Sequence, residues 1–248
     1  MRRILPVFLM LAFLLCLTAC SGETLEPSSA PTSDVFAGAD HTAKTESSSR
    51  PTSSASDTKT SDEEKDSHIL IAYFTMPEDV DTHGVDAIAG ASIVVKDGQA
   101  MGNVEYLATI IQESVGGDLF QIETVQPYPL DHDPLVDQAA QEQDDDARPE
   151  LATHIENLSQ YDTIFIGYPN WWGDLPMPLY TFLEEYDFSG KTIIPFCPHG
   201  GSGFSGTESA IAERQPEAII SENGLTISRN DVAGSAEEVA AWAKSLGL

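Results

Sequence analysis

The chain has 248 residues, 40 acidic against 12 basic, for a formal charge of −28. With no basic patch to meet a phosphate backbone, nucleic-acid binding is excluded as a function class. Of three cysteines, Cys16 and Cys20 lie near the start, so Cys197 has no partner for an internal disulfide downstream, and no Cys/His cluster has metal-site spacing.

Residues 1–19 read as a leader. Arg2 and Arg3 form a positive start, and Ile4 to Cys16 an apolar core too short to span a bilayer. Leu17-Thr18-Ala19-Cys20 resembles the lipobox of bacterial lipoproteins, which implies cleavage before Cys20 and lipidation of that cysteine. An ordinary signal peptide with a chance cysteine is the alternative. The paired arginines fit twin-arginine export and the very hydrophobic core fits the general secretory route. The expected location is extracytoplasmic, as a membrane-anchored lipoprotein that meets the membrane through its lipid alone. Residues 20–66 are rich in Ser, Thr, Pro, Ala and acidic residues with almost no large apolar side chains. That composition predicts a disordered tether.

The remaining residues, 67–248, suffice for one domain with its own core. His68 to Phe74 (HILIAYF) predicts a central first strand. An excursion over about residues 76–101 follows, whose apolar middle, Ile88 to Val95, predicts a hairpin or lid. Val104 to Val115 has a broad apolar face and ends at Gly116-Gly117, predicting a helix. Asp118 to Val125 predicts the second strand. A short helical pattern follows within Gln126 to Pro149, and Asp144-Asp145-Asp146 is expected to be a solvated acidic surface. Leu151 to Leu158 predicts a short helix, Asp162 to Gly167 the third strand, Met177 to Tyr186 a helix and Thr192 to Cys197 the fourth strand. Glu208 to Arg214 predicts a helix and Ala218 to Ile227 a last strand or strand pair. Ser235 to Leu246 predicts a final helix with Ser235 as N-cap and Glu238 completing a capping box. All these segments are read directly from the sequence. Strands alternating with helices predict an α/β fold, a doubly wound five-stranded parallel sheet of order 2-1-3-4-5.

Ligands in such sheets bind where loops leave the carboxyl ends of the strands. Two of these loops stand out: Tyr168-Pro169-Asn170-Trp171-Trp172-Gly173 after the third strand, and Pro198-His199-Gly200-Gly201-Ser202-Gly203-Phe204 after the fourth. The tryptophans offer ring faces, and the glycines permit close approach of backbone N–H groups. Cys197 reads as a small buried hydrophobe rather than a reactive thiol. His199 reads equally as a proton donor and as a structural cap.

The strand ILIAYF, these two loops and the helix opening MGNVEYLA resemble the flavodoxin family, most closely its stand-alone bacterial members, over Ile69 to Leu248. The resemblance implies a flavodoxin-like fold holding FMN non-covalently with three loops. It places the ring against Tyr168, Pro169, Asn170, Trp171, Trp172 and Gly173, and His199, Gly200, Gly201, Ser202 and Gly203 beside the ring's carbonyl edge or the phosphate side. It places the phosphate at Thr75, Gly102 and Asn103, where the helix N-terminus presents donors. Val104 stands where the family has a hydroxyl, a departure that Thr75, Gln99 or the insertion is expected to offset. The implied function is electron transfer or oxidoreduction outside the cytoplasm, with a redox partner protein or a small-molecule acceptor. An NAD(P)H-dependent quinone or nitro reductase and a binding module that has lost FMN are the alternatives.

Overall fold

Every strand pairing in the main sheet is parallel, so all its strands present their carboxyl ends along one edge. The computed structural model describes residues 68–248; the expected leader, Cys20 and the tether lie outside the described residues. In chain order the elements are β1 (Ile69–Tyr73), β2 (Ala87–Ile88), β3 (Ile93–Lys96), β4 (Gln99–Gly102), α1 (Asn103–Val115), β5 (Asp118–Gln121), α2 (His132–Asp144), β6 (Thr163–Gly167), α3 (Met177–Glu185), β7 (Thr192–His199), α4 (Thr207–Arg214), β8 (Ile219–Ile220), β9 (Leu225–Ser228) and α5 (Ala236–Ser245). Short 3₁₀ turns occupy Ala89–Ala91, Leu158–Gln160 and Val232–Gly234.

The main sheet runs β5-β1-β6-β7, with β8 and β9 both pairing with β7. Setting aside the small sheet of β2–β4, this is the 2-1-3-4-5 order. The expected final strand pair is one edge strand in two segments. Register passes from Ile193↔Ile220 to Phe196↔Leu225, so four edge residues stand opposite two of β7. Thr192 donates to Asp162 O and Ser221 to Ile193 O, which makes the odd-numbered residues of β7 the ones facing this edge. Pro195 is one of them and has no N–H, so the ladder breaks there.

All five residues of β1 are buried, and their alternation divides the interior into two cores. Leu70, Ala72 and Phe74 join Phe182, Leu183 and Ile211 on one face. Ile69, Ile71 and Tyr73 join Leu107, Ile111, Val239 and Ala243 on the other. Burial on both faces explains why the strands read as continuous apolar runs rather than alternating ones.

The insertion contains the expected hairpin. β3 and β4 pair antiparallel from Ile93↔Gly102 to Lys96↔Gln99, turning at Asp97 and Gly98, both with positive φ (54° and 79°). An Asp-Gly pair suits a turn of that hand. Val94 enters the core that α1 shares, and Lys96 Nζ lies 5.9 Å from the centre of the Tyr106 ring.

Three local expectations are corrected. Residues 151–157 are not helical. Leu151 forms a bridge with Thr124, while Val125 N–H donates to Glu150 O and Ala152 N–H to Glu123 O. Ile155 N–H, which a helix would have directed to Leu151 O, donates instead to the Tyr186 hydroxyl at 2.7 Å. β5 accordingly ends at Gln121 rather than Val125. Ser235 stands at the N-cap of α5 but does not cap it: its hydroxyl donates to Val232 O at 2.8 Å, because the preceding 3₁₀ turn presents that carbonyl.

Gly167 closes β6 directly over the fully buried ring of Phe196; an added Cβ would stand 2.1 Å from its Cζ. Gly167→Ala is expected to lower stability by about 1–3 kcal/mol through overpacking, measured as a shift in the guanidinium unfolding midpoint at unchanged slope.

Candidate functional site

A cleft opens at the carboxyl edge of β1, β6 and β7, with about 910 Å³ of free space including its mouth. One wall is the entrance to α1. Thr75, just beyond β1, is 6 % exposed, and Asn103, the first residue of α1, is 3 % exposed. Gly102 lets them meet: a Cβ there would lie 2.0 Å from Thr75 Oγ1. The Gly102 N–H donates to Glu105 Oε2, and the Asn103 N–H donates to Ser92 O at 2.8 Å.

Thr75 Oγ1, Asn103 Nδ2 and Asn103 Oδ1 are all buried without a hydrogen-bond partner. A buried polar group left unmatched costs about 1–3 kcal/mol. Among the described residues the remaining side-chain atom in this condition is Thr181 Oγ1 on α3. Two of these atoms, Thr75 Oγ1 and Asn103 Nδ2, are donors beside the N-terminus of a 13-residue helix, the kind of group from which an anion's oxygens accept, whereas Asn103 Oδ1 can only accept. Val104 also lines the cleft, as a buried apolar side chain. Gln99 is exposed on β4 and does not line it; the insertion contributes Met76, Glu78, Gly90 and Ser92 instead.

The second wall is the loop after β6. Trp171 and Asp174 exchange backbone hydrogen bonds of 3.1 and 3.0 Å, with Trp172 at φ 50° and Gly173 at φ 84° between them. A bulky residue with positive φ is uncommon and is held there by its surroundings. Asn170 supplies the restraint. Its Oδ1 accepts from Gly173 N–H at 2.9 Å and its Nδ2 donates to Gly203 O at 2.8 Å, latching the loop after β6 to the loop after β7. Trp171 packs edge-on against Phe74 and Tyr128, with ring centres 5.7 and 6.0 Å apart. Trp172 is 55 % exposed.

At the end of β7, His199 Nδ1 accepts from Gly201 N–H at 2.8 Å, which assigns the neutral ring's proton to Nε2. Cys197 is fully buried, and burial pushes its thiol up to about 12, so it stays protonated at neutral pH.

Of the residues singled out in the sequence, Thr75, Asn103, Pro169, Asn170, Trp171, Trp172, His199 and Gly200 line the cleft together. Gly102, Tyr168, Gly173, Gly201, Ser202 and Gly203 do not. Tyr168 turns into the core, fully buried, and its hydroxyl donates to Thr207 Oγ1 at 2.9 Å. Burial raises its pKa well above the ordinary phenol value. Gly173 and Gly203 serve the site through the Asn170 latch. Ser202 O accepts from Ser205 Oγ.

Sequence reasoning missed the wall made by α2 (Leu135, Val136, Ala139), together with Glu78, His132 and Arg229. The apolar residues of α2 carry the signal of an ordinary core stripe. His132 and Glu78 lie 54 residues apart yet touch at 2.7 Å, a pairing that no local pattern announces.

The family model Flavodoxin_4, described as flavodoxin, matches residues 92–246. A candidate flavoprotein from Bacteroides uniformis is similar at 27 % identity over 72 % of this chain and 98 % of its own, with a TM-score of 0.53. Another from Bacteroides eggerthii is 26 % identical over 69 % and 97 %, with a TM-score of 0.48. A flavoprotein from Lactobacillus acidophilus, solved in complex with FMN, is 17 % identical over 67 % and 96 %, with a TM-score of 0.46. No match was found among curated proteins.

The Glu78 carboxylate raises the pKa of His132 through their hydrogen bond and charge. A raised folded-state value means that the pair's contribution is present below the ordinary histidine pKa and is lost as pH rises through the raised one. His132 is expected to titrate above 6.5 by NMR, and Glu78→Gln to bring it back down.

Proposed function

The chain belongs to the flavodoxin family, and we propose that it is an FMN-binding electron-transfer protein or oxidoreductase, held outside the cytoplasm by a lipid on Cys20. The observation that carries the reading is the coexistence, in one cleft, of the unmatched atoms of Thr75 and Asn103 with the face of Trp171 and the exposed ring of Trp172. One end suits a phosphate and the other a flat aromatic ring with polar edges, which is the division of an FMN molecule.

FMN, when bound, supplies the electron-carrying chemistry. The chain's own groups bind and orient. Thr75 and Asn103 hold the phosphate end, with the partial positive charge of the α1 N-terminus behind them. Trp171, braced by Phe74 and Tyr128, gives the ring a fixed wall, and Trp172 loses its exposure against the ring. His199 offers its Nε2–H as a donor to the ring's edge or to an incoming acceptor. The net charge of −28 opposes the build-up of negative charge in the cleft and pulls the potential of a bound flavin downward. It also favours a redox partner with a basic docking face.

Titration of FMN with the apoprotein is expected to quench flavin fluorescence in a saturable 1:1 manner and to shift the flavin absorption band. Unchanged fluorescence would leave the chain as a flavodoxin-fold binding module. For the anchor, radiolabelled palmitate should be incorporated into the wild-type chain and not into Cys20→Ser, which should appear in the soluble extracytoplasmic fraction; label retained in that variant sinks the lipid assignment.

A further inference from the structure

Val104 leaves its position at the entrance to α1 without a hydroxyl, and the cleft holds a cation, Arg229, whose charge is felt by His132 but which forms no ion pair among the described residues. Lys96, Arg148 and Arg214 form ion pairs with carboxylates, and Lys191 donates to Tyr161 O. Arg229 lines the cleft, and its side chain has neither an ion pair nor a hydrogen bond among the described residues. It directly follows β9, and its N–H donates to His199 O at 2.8 Å, continuing the parallel pairing that ends at His199↔Ser228. Its backbone is therefore fixed at the same carboxyl edge as Thr75.

Arg229 lies on the α1 side of the cleft. The 3₁₀ turn Val232–Gly234, three residues on, packs against both α1 and β3. Ser92, immediately before β3, accepts from Asn103 N–H and lines the cleft with it. Glu78, the carboxylate in the cleft wall, is engaged by His132 at 2.7 Å. An arriving anion thus meets, in one cleft, a guanidinium without an ion-pair partner and the unmatched donors Thr75 Oγ1 and Asn103 Nδ2.

We propose that Arg229 is the counter-charge for the phosphate of FMN and makes the chain select FMN over riboflavin. The inference rests on the FMN reading above. A phosphate ester carries about −1.5 to −2 charges at pH 7. A guanidinium meets such a group with two parallel N–H donors, a geometry that an ammonium lacks. Thr75, Asn103 and the α1 N-terminus supply neutral donors, and Arg229 supplies the full charge that the hydroxyl absent at Val104 would not have carried.

The test titrates FMN and riboflavin separately, by fluorescence quenching, into the full chain and its Arg229→Gln and Arg229→Lys variants. Riboflavin shares the ring and lacks the phosphate, so it doubles as a control for folding and for the ring wall. The glutamine variant is expected to lose about tenfold or more in FMN affinity while riboflavin changes by about twofold or less. The lysine variant is expected to keep more of the FMN preference than the glutamine variant. FMN affinity unchanged in the glutamine variant, both flavins weakened by the same factor, or lysine as deficient as glutamine would each overturn the assignment. A wild-type chain that binds neither flavin removes the FMN reading itself, and this inference with it.

Discussion

The parallel pairing of β1, β6 and β7 is the constraint on which the site depends. Three strands hydrogen-bonded in one direction must release their following loops at a common edge, and these loops begin at residues far apart in the chain. β6 is sandwiched between the other two along its whole length, from Thr163 to Gly167. Its loop therefore leaves between the turn into the insertion and the glycine-rich loop. The two cores, one on each face, make that arrangement rigid. Reversing any strand would bring its apolar residues to the wrong neighbours as well as removing its loop from the edge.

Several local rules are broken at this edge. Thr75 and Asn103 bury polar atoms without partners, Trp172 holds a backbone conformation that large side chains avoid, and Gly102 sits where no Cβ fits. Such departures cost stability and persist only where the surrounding structure enforces them. The enforcement here is visible: β3 and β4 close Gly102 onto Thr75, and the Asn170 amide ties Gly173 to Gly203.

The insertion has two parts with different work. Its hairpin lies against α1 and contributes Val94 to the core. The stretch before the hairpin crosses to the other wall, where Glu78 N–H donates to Ala91 O, Asp79 N–H to Leu130 O, and the Glu78 carboxylate meets His132. The crossing segment is thus fastened at both sides, by backbone bonds and by an ion pair. It gives the cleft Met76, Gly90 and Ser92, so the α1 end of the cleft is lined by residues from the insertion as well as by Thr75 just beyond β1.

The order of strands, the two face-covering layers and the aromatic and glycine-rich loops were legible in the chain itself, because apolar periodicity and turn chemistry are local properties. ILIAYF and TIFIG read as buried strands wherever they are placed. The failures were equally local in origin: Leu151, Ile155 and Leu158 have helical spacing, yet the backbone there found partners across the chain at Glu123 and Val125. Tyr168 stood in the right loop, but the pleat at the end of β6 turned its ring into the core. What the sequence by itself determined was the edge at which a ligand would sit and the kind of groups waiting there. Only the tertiary structure decided which of them share one space. The partnership of Glu78 with His132, the arrival of Arg229 in the same cleft as Asn103, and the unmatched state of Thr75 all depend on where distant segments come to rest, and no residue's neighbours in sequence specify its neighbours across a cleft.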